Sequence, residues 1–195
     1  HVVSGRHVLS TPKERMVSTA AYEDPEDNPR IQCLLDIMKE LGNEKAIIFC
    51  KYMSEVRDVM RTLLNHRYTI IQYTGATNYN DRQTNRERFK DDVQVMVANK
   101  ACGAYGLNLQ FCHNVIYYSN DFDLATRMQS EDRVHRIGQT TPVNIIDICT
   151  ERTIDEVITR CLQRKKNLVE EFKKEIEKWK EENDGTETVH EQERV

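Results

Sequence analysis

Two arginines, Arg133 and Arg136, stand three positions apart in the run Gln129-Ser-Glu-Asp-Arg-Val-His-Arg-Ile-Gly-Gln139. On a helix, side chains at this spacing leave from one face. A guanidinium is permanently charged and presents a rigid fork of donors that matches phosphate oxygens. Two of them side by side suit a site that neutralises charge on a transferring γ-phosphate, where such groups raise rates by orders of magnitude. The plainer use of the same letters is a solvated helix face, with the arginines paired to Glu131 and Asp132. His135, between the arginines, has the chemistry of a general base. Phosphoryl transfer depends mainly on positioning and electrostatics, so a structural hydrogen bond is its expected part.

Other residues could meet phosphate groups. Gly75, Gly103 and Gly106 can bring backbone N–H groups close to an anion. Lys51, Thr74, Asn99 and Lys100 each fall just past an apolar, strand-like run. Tyr73, Tyr105, Tyr117, Tyr118 and Phe122 could stack on bases, but tyrosines in strands usually serve the sheet, and that is the expected role. The sequence holds no Gly-x-x-x-x-Gly-Lys-Ser/Thr loop and no acidic pair closing a strand to carry magnesium. The chain thus lacks nucleotide-holding motifs of its own, and its start at His1 reads as that of an excised piece.

The elements that must hold these groups follow from periodicity. Residues 1–28 are short on pattern and end in the acidic, proline-punctuated Tyr22-Glu-Asp-Pro-Glu-Asp-Asn-Pro29, which reads as a linker. Ile31, Leu34, Leu35, Met38 and Leu41 predict a helix stopped by Gly42. Strands are predicted over 46–50, 68–73, 93–98, 114–118 and 143–149. Between them, helices are predicted from a Ser54 cap, with Val56, Val59, Met60, Leu63 and Leu64 as its stripe, over 80–90, and over 124–135. Alternation of short strands with helices implies an open, mainly parallel α/β sheet sandwiched by helices. Sites in such sheets gather at the carboxyl ends of the strands. Thr153-x-x-Glu156 reads as a capping box, and Ile154, Val157, Ile158, Cys161, Leu168, Phe172 and Trp179 as a long helical stripe after it.

Composition bounds the rest. The 195 residues, 38% hydrophobic, suffice for one core. Six cysteines, with no Cys-x-x-Cys pair, argue against zinc and disulfide frameworks and for a reducing setting. No apolar run is long enough to span a membrane. The net charge of −4 sits poorly with nucleic acid until its position is considered. Glu170 to Val195 hold ten acidic and five basic residues, so the remainder is slightly positive. Arg82, Arg86, Arg88 and Lys90 gather on one predicted helix and Arg160, Arg164, Lys165 and Lys166 on another, either as solvated faces or as phosphate contacts.

The Gln129–Gln139 run resembles the last motif of superfamily-two helicases in the version carried by the switch/sucrose-non-fermenting (SWI/SNF-type) ATPases. Gly103-Ala-Tyr-Gly-Leu-Asn-Leu109 resembles the preceding glycine loop. Ala46–Cys50, Tyr73-Thr-Gly-Ala-Thr77 with Asp81-Arg-Gln83, Arg152–Glu156 and Gln163–Lys166 follow the family's blocks in order. The resemblance implies a RecA-like C-terminal helicase lobe over 29–152, after a 1–28 extension, with a helical extension at 153–182 and an acidic flexible tail at 183–195. It implies that Arg133 and Arg136 are arginine fingers, with Gln129 at the motif's start. It implies that Gly103, Gly106 and Asp132 lie beside ATP and Mg2+, which are held mainly by an amino-terminal lobe. Lys51, Thr74, Gly75, Asn99 and Lys100 would then lie along a nucleic-acid backbone, double-stranded DNA by preference.

The family's second loop glycine is Ala104 here and its leading serine Asn99. Where Trp-Asn-Pro is usual, this chain has Phe122-Asp-Leu124. These departures suggest a divergent branch, bacterial or phage, acting in the cytoplasm, or in the nucleus if the host is eukaryotic. The expected activity is that of a motor lobe in a DNA-stimulated translocase, inactive as an isolated lobe. A strand-separating DNA or RNA helicase and a noncatalytic nucleic-acid or protein scaffold are the alternatives. The last helix could take a protein partner.

Overall fold

The structure is a computed structural model that describes residues 2–3, 6–9, 17–20, 22–75, 77–99, 109–134 and 141–184. Its centre is β4 (Ala46–Cys50), whose five residues are at most 2% exposed. With β5 (Ile70–Tyr73), β6 (Val95–Asn99), β7 (Asn114–Tyr117) and β8 (Asn144–Asp147) it forms a parallel sheet of order β5-β6-β4-β7-β8. The register sets Cys50 beside Asn99, Tyr73 beside Ala98 and Tyr117 beside Phe49.

Strand order decides where the helices go. From β4 the chain passes over β6 to the far edge, through α2 (Met53–Asn65), and then turns back through α3 (Tyr79–Asp91) to β6. A right-handed crossover that reverses direction must change face. Accordingly α1 (Pro29–Leu41) and α2 share one core with Ala46, Ile48, Val95, Val97 and Ile116. Phe89 of α3 and Val134 of α4 (Leu124–Val134) join the other, with Ile47, Phe49, Met96, Val115 and Tyr117. Side chains of β4, β6 and β7 alternate strictly between the two cores, which is why these strands read as unbroken apolar runs.

The local signals work as expected in α1. Asn28 accepts from the Arg30 N–H, Pro29 opens the helix, and Gly42 closes it with φ +59°, a conformation that favours glycine. Elsewhere the boundaries move. The second helix is capped at Tyr52, two residues before Ser54, with Glu55 accepting the Tyr52 N–H. The box at Thr153 is offset. The Thr153 hydroxyl accepts from Asp155, but the Glu156 carboxylate takes the N–H of Arg152, whose φ is +58°. α5 (Ile154–Asp184) follows as one helix, its Ile158 and Leu162 buried.

Residues before 28 are less plain than their sequence suggests. β1 (Val2–Val3), β2 (Arg6–Leu9) and β3 (Val17–Ala20) make a small antiparallel sheet. Strands of two to four residues are too short for an alternation to register. Among the described residues no helix is long and apolar enough to cross a membrane.

Because β4 is packed on both faces, truncation there opens a cavity that neither layer can fill. Ile48→Ala should therefore lower the unfolding free energy by about 2–5 kcal/mol, read from the urea midpoint at unchanged m-value. A loss below about 1 kcal/mol would contradict the two-sided core.

Candidate functional site

All five strands run parallel, so their carboxyl ends form one edge, and the described candidates gather there. Lys51 follows β4. Its N–H donates to Ser119 Oγ at 2.8 Å and to Glu55 Oε2 at 3.0 Å. Ser119 in turn donates to the same carboxylate oxygen at 2.6 Å. Asn99, the last residue of β6, donates to the Lys51 carbonyl at 3.0 Å. The backbone of Lys51 is thus fixed from three sides, while its ammonium lies 5.1 Å from the Tyr52 ring centroid. Glu55 is 1% exposed and was not singled out from sequence, where it reads as a surface residue of α2.

At the end of β5, Thr74 is fully buried, and its hydroxyl accepts from Gln72 at 2.8 Å. Thr74 supports the turn from within the lobe, and Gly75 beside it is exposed. Arg82 of α3 donates to the carbonyls of Thr77 and Gly75, at 2.8 and 3.0 Å, bracing the turn rather than standing on a solvated face. Gly75 has no positive φ, and a Cβ there would meet nothing within 4 Å. Neither backbone strain nor packing within the lobe therefore requires glycine here.

α4 carries the arginine motif. Its buried face is Arg127, Ser130 and Val134, and Gln129 and Asp132 are exposed, with Arg133 half-buried in the last turn. The Arg133 carbonyl accepts from the Leu109 N–H at 3.1 Å, so the end of the glycine loop is tied to the end of this helix. Gly103, Gly106, Lys100, Tyr105, His135 and Arg136 lie outside the described residues. The carboxylate of Glu131, a candidate partner for the motif arginines, is held by Arg127 at 2.8 Å and Lys166 at 3.4 Å.

Arg127 is the residue the sequence reading missed. Only 8% exposed, it forms a two-pronged pair with Asp147 at 2.5 and 2.9 Å, and donates to Asn120 at 3.2 Å. Its guanidinium lies 4.1 Å from the Tyr117 ring centroid, and that ring stacks on Phe49 of the central strand. Burial opposes the charge of Arg127, but the hydrogen bonds and charge of Asp147, with Glu131 adding, raise its pKa above the usual value. Burial also raises the Tyr117 hydroxyl, against the hydrogen bond with Ser130. The one sequence hint was the four-residue spacing from Arg127 to Glu131. Of the aromatic residues weighed as base-stacking groups, Tyr73, Tyr117 and Tyr118 are core, as expected of strand tyrosines, and Phe122 is exposed.

Comparison with known proteins fits this arrangement. The model of the family described as helicase conserved C-terminal domain matches residues 29–138. The chain belongs to this family. Its fold is that of the RecA-like lobe of an ATPase domain. The crystal structure of the C-terminal part of the Fun30 ATPase domain superposes with a TM-score of 0.67 at 27% identity, covering 72% of this chain and 47% of that one. Helicase SWR1 of Kluyveromyces lactis is 31% identical over 179 residues, 86% of this chain and 11% of that protein. The Saccharomyces cerevisiae protein of the same name is 37% identical over 142 residues, 71% of the chain and 9% of that protein. Helicase ssl-1 of Caenorhabditis elegans is 34% identical over 167 residues, covering 80% and 7%. This helicase C-terminal lobe thus spans about a tenth of the length of the curated relatives it matches.

Glu55 Oε2 accepts from three donors in a place closed to water. Glu55→Ala should cost about 2–3 kcal/mol, the penalty of leaving such donors unpaired, read by thermal or chemical denaturation. A cost within about 0.5 kcal/mol, the range of ordinary surface changes, would contradict its role in fixing Lys51.

Proposed function

We propose that this chain is the carboxyl-terminal motor lobe of an ATP-dependent, DNA-stimulated translocase of the SWI/SNF type. The observation that carries the reading is the two-sidedness of α4. One face is locked into the lobe by Arg127, Ser130 and Val134, the far side exposes Gln129 and Asp132, and Arg133 stands half-buried at the flank of the last turn. Such a helix keeps its buried charge paired within the lobe and leaves further polar and charged groups for a neighbour.

The lobe's described residues suit a shared nucleotide site rather than a complete one. Arg133 is a permanent cation in the last turn of α4, whereas the sequence holds no Gly-x-x-x-x-Gly-Lys-Ser/Thr loop. ATP with Mg2+, held mainly by an amino-terminal lobe, supplies the free energy of phosphoryl transfer. In this reading Arg133 and Arg136 meet the γ-phosphate when the cleft closes, and Gln129, Asp132, Gly103 and Gly106 line it. Positioned guanidinium groups act by offsetting charge where it develops, without rearrangement at the moment of reaction.

Lys51, Gly75, Asn99 and Lys100 then follow a phosphate backbone along the sheet edge, with Thr74 as the support of the turn. Contacts of this kind hold register without reading sequence. Opening and closing of the cleft would move the motor along duplex DNA without requiring strand separation. The exposed Phe122, in place of the usual tryptophan, supports a divergent branch, bacterial or phage. The relatives named above are fungal and nematode proteins, and in a eukaryotic host the same motor would work in the nucleus.

In the two-lobe protein, Arg133→Ala should reduce DNA-stimulated ATP turnover by roughly 10³-fold or more, measured as phosphate release at saturating ATP. Retained turnover would overturn the finger assignment. Gly75→Ala should leave the melting temperature unchanged, since its Cβ meets no atom within 4 Å. It should nonetheless raise the duplex concentration needed for half-stimulation. An unchanged half-stimulation would remove Gly75 from the DNA path.

A further inference from the structure

The buried face of α4 is unusual in what it lacks. A helix is normally seated by an apolar stripe, but of the three buried residues here two are polar, Arg127 and Ser130. Burial of apolar surface is non-directional. It leaves the rotation of a helix about its own axis loosely set when only one valine provides it. Bidentate arginine–carboxylate pairing, by contrast, has geometric specificity.

The polar contacts reach two different strands. The Arg127 fork spans both oxygens of Asp147, at the end of β8. Asn120, just past β7, accepts from Arg127 and donates to Asp147 at 2.5 Å. Within the helix, the Ser130 hydroxyl donates to the Arg127 carbonyl at 2.6 Å, which leaves Ser130 to accept from the Tyr117 hydroxyl at 2.6 Å. Glu131, one turn along, holds Arg127 Nε and also Lys166 from α5. The bonds to Asp147, Asn120 and Tyr117 refer α4 to the carboxyl edge of the sheet, where the rest of the site lies.

We propose that Arg127 is the positioning residue of the arginine motif, acting through Arg133: its fork to Asp147 and Asn120 sets the axial rotation of α4 and so the place of the Arg133 guanidinium in the last turn. This rests on the motor-lobe reading above. A side chain roughly 6 Å from a helix axis moves about 1 Å for a rotation of ~10°. A misplacement of that size in a site built on positioning costs about 10²-fold in rate. Lysine cannot replace the fork, because an ammonium offers no planar pair of donors.

The test compares wild-type two-lobe protein with Arg127→Lys and Asp147→Asn, which preserve size and most hydrogen-bonding capacity. It follows kcat and KM for ATP, half-stimulation by duplex DNA, and melting temperature. At a temperature well below melting, the expected result is a kcat lower by roughly 10- to 100-fold, with KM and half-stimulation within about two-fold. A residue that only stabilises the fold would lower the melting temperature and leave kcat unchanged in the folded protein, and that result overturns the proposal. If Arg127→Lys fails to fold, Asp147→Asn decides by the same two outcomes. Wild-type protein without any DNA-stimulated turnover would instead overturn the motor-lobe reading, independently of the variants.

Discussion

The constraint on which everything else rests is that β4 is paired on both edges and buried on both faces. β4 runs parallel to both its neighbours, and helices on either side of the sheet supply the two layers that cover it. Parallel strands then place all their carboxyl ends on one edge. The gathering of Lys51, Gly75, Asn99, Ser119 and Asn120 at that edge follows from the topology.

Polar bonds finish what the apolar layers begin. Arg30, 6% exposed near the start of α1, donates to the carbonyls of Tyr118 and Ile148, to Thr150, and to the carboxylate of Asp155. It joins the first helix of the lobe to the ends of β7 and β8 and to the beginning of α5. Arg127 does the corresponding work for α4. Buried ion pairs of this kind gain little net stability over well-packed apolar groups. What they add is direction, and direction matters where a helix must present particular side chains to a partner lobe. Lys166, reaching Glu131 from α5, brings the long last helix into the same set of contacts.

Much of the fold was legible, for a physical reason. Strands buried on both faces read as continuous apolar runs, and α1 carried both its stripe and its terminal signals. α3 was placed to within a residue at each end, although its main anchor, Phe89, was not singled out. The small antiparallel sheet before residue 21 was not legible, because its strands are too short to show a period. In the site, α4 was singled out by the spacing of its arginines, and the structure leaves its Gln129 and Asp132 exposed and its Arg133 half-buried. Arg127, Arg30 and Glu55 could not. A buried charge is written with the same letter as a solvated one, and only the partners that long-range folding brings near, Asp147 for Arg127 and Ser119 for Glu55, tell them apart.

A lobe that lends cations to a nucleotide held elsewhere and contacts a backbone along its sheet edge should make turnover depend on the nucleic acid it tracks. The most direct measurement is the ATP turnover of the wild-type two-lobe protein with duplex DNA, with single-stranded RNA and with neither. Strong stimulation by the duplex, weakened by added salt as phosphate contacts require, is the predicted result. Turnover indifferent to duplex DNA, or raised only by RNA, would contradict the account.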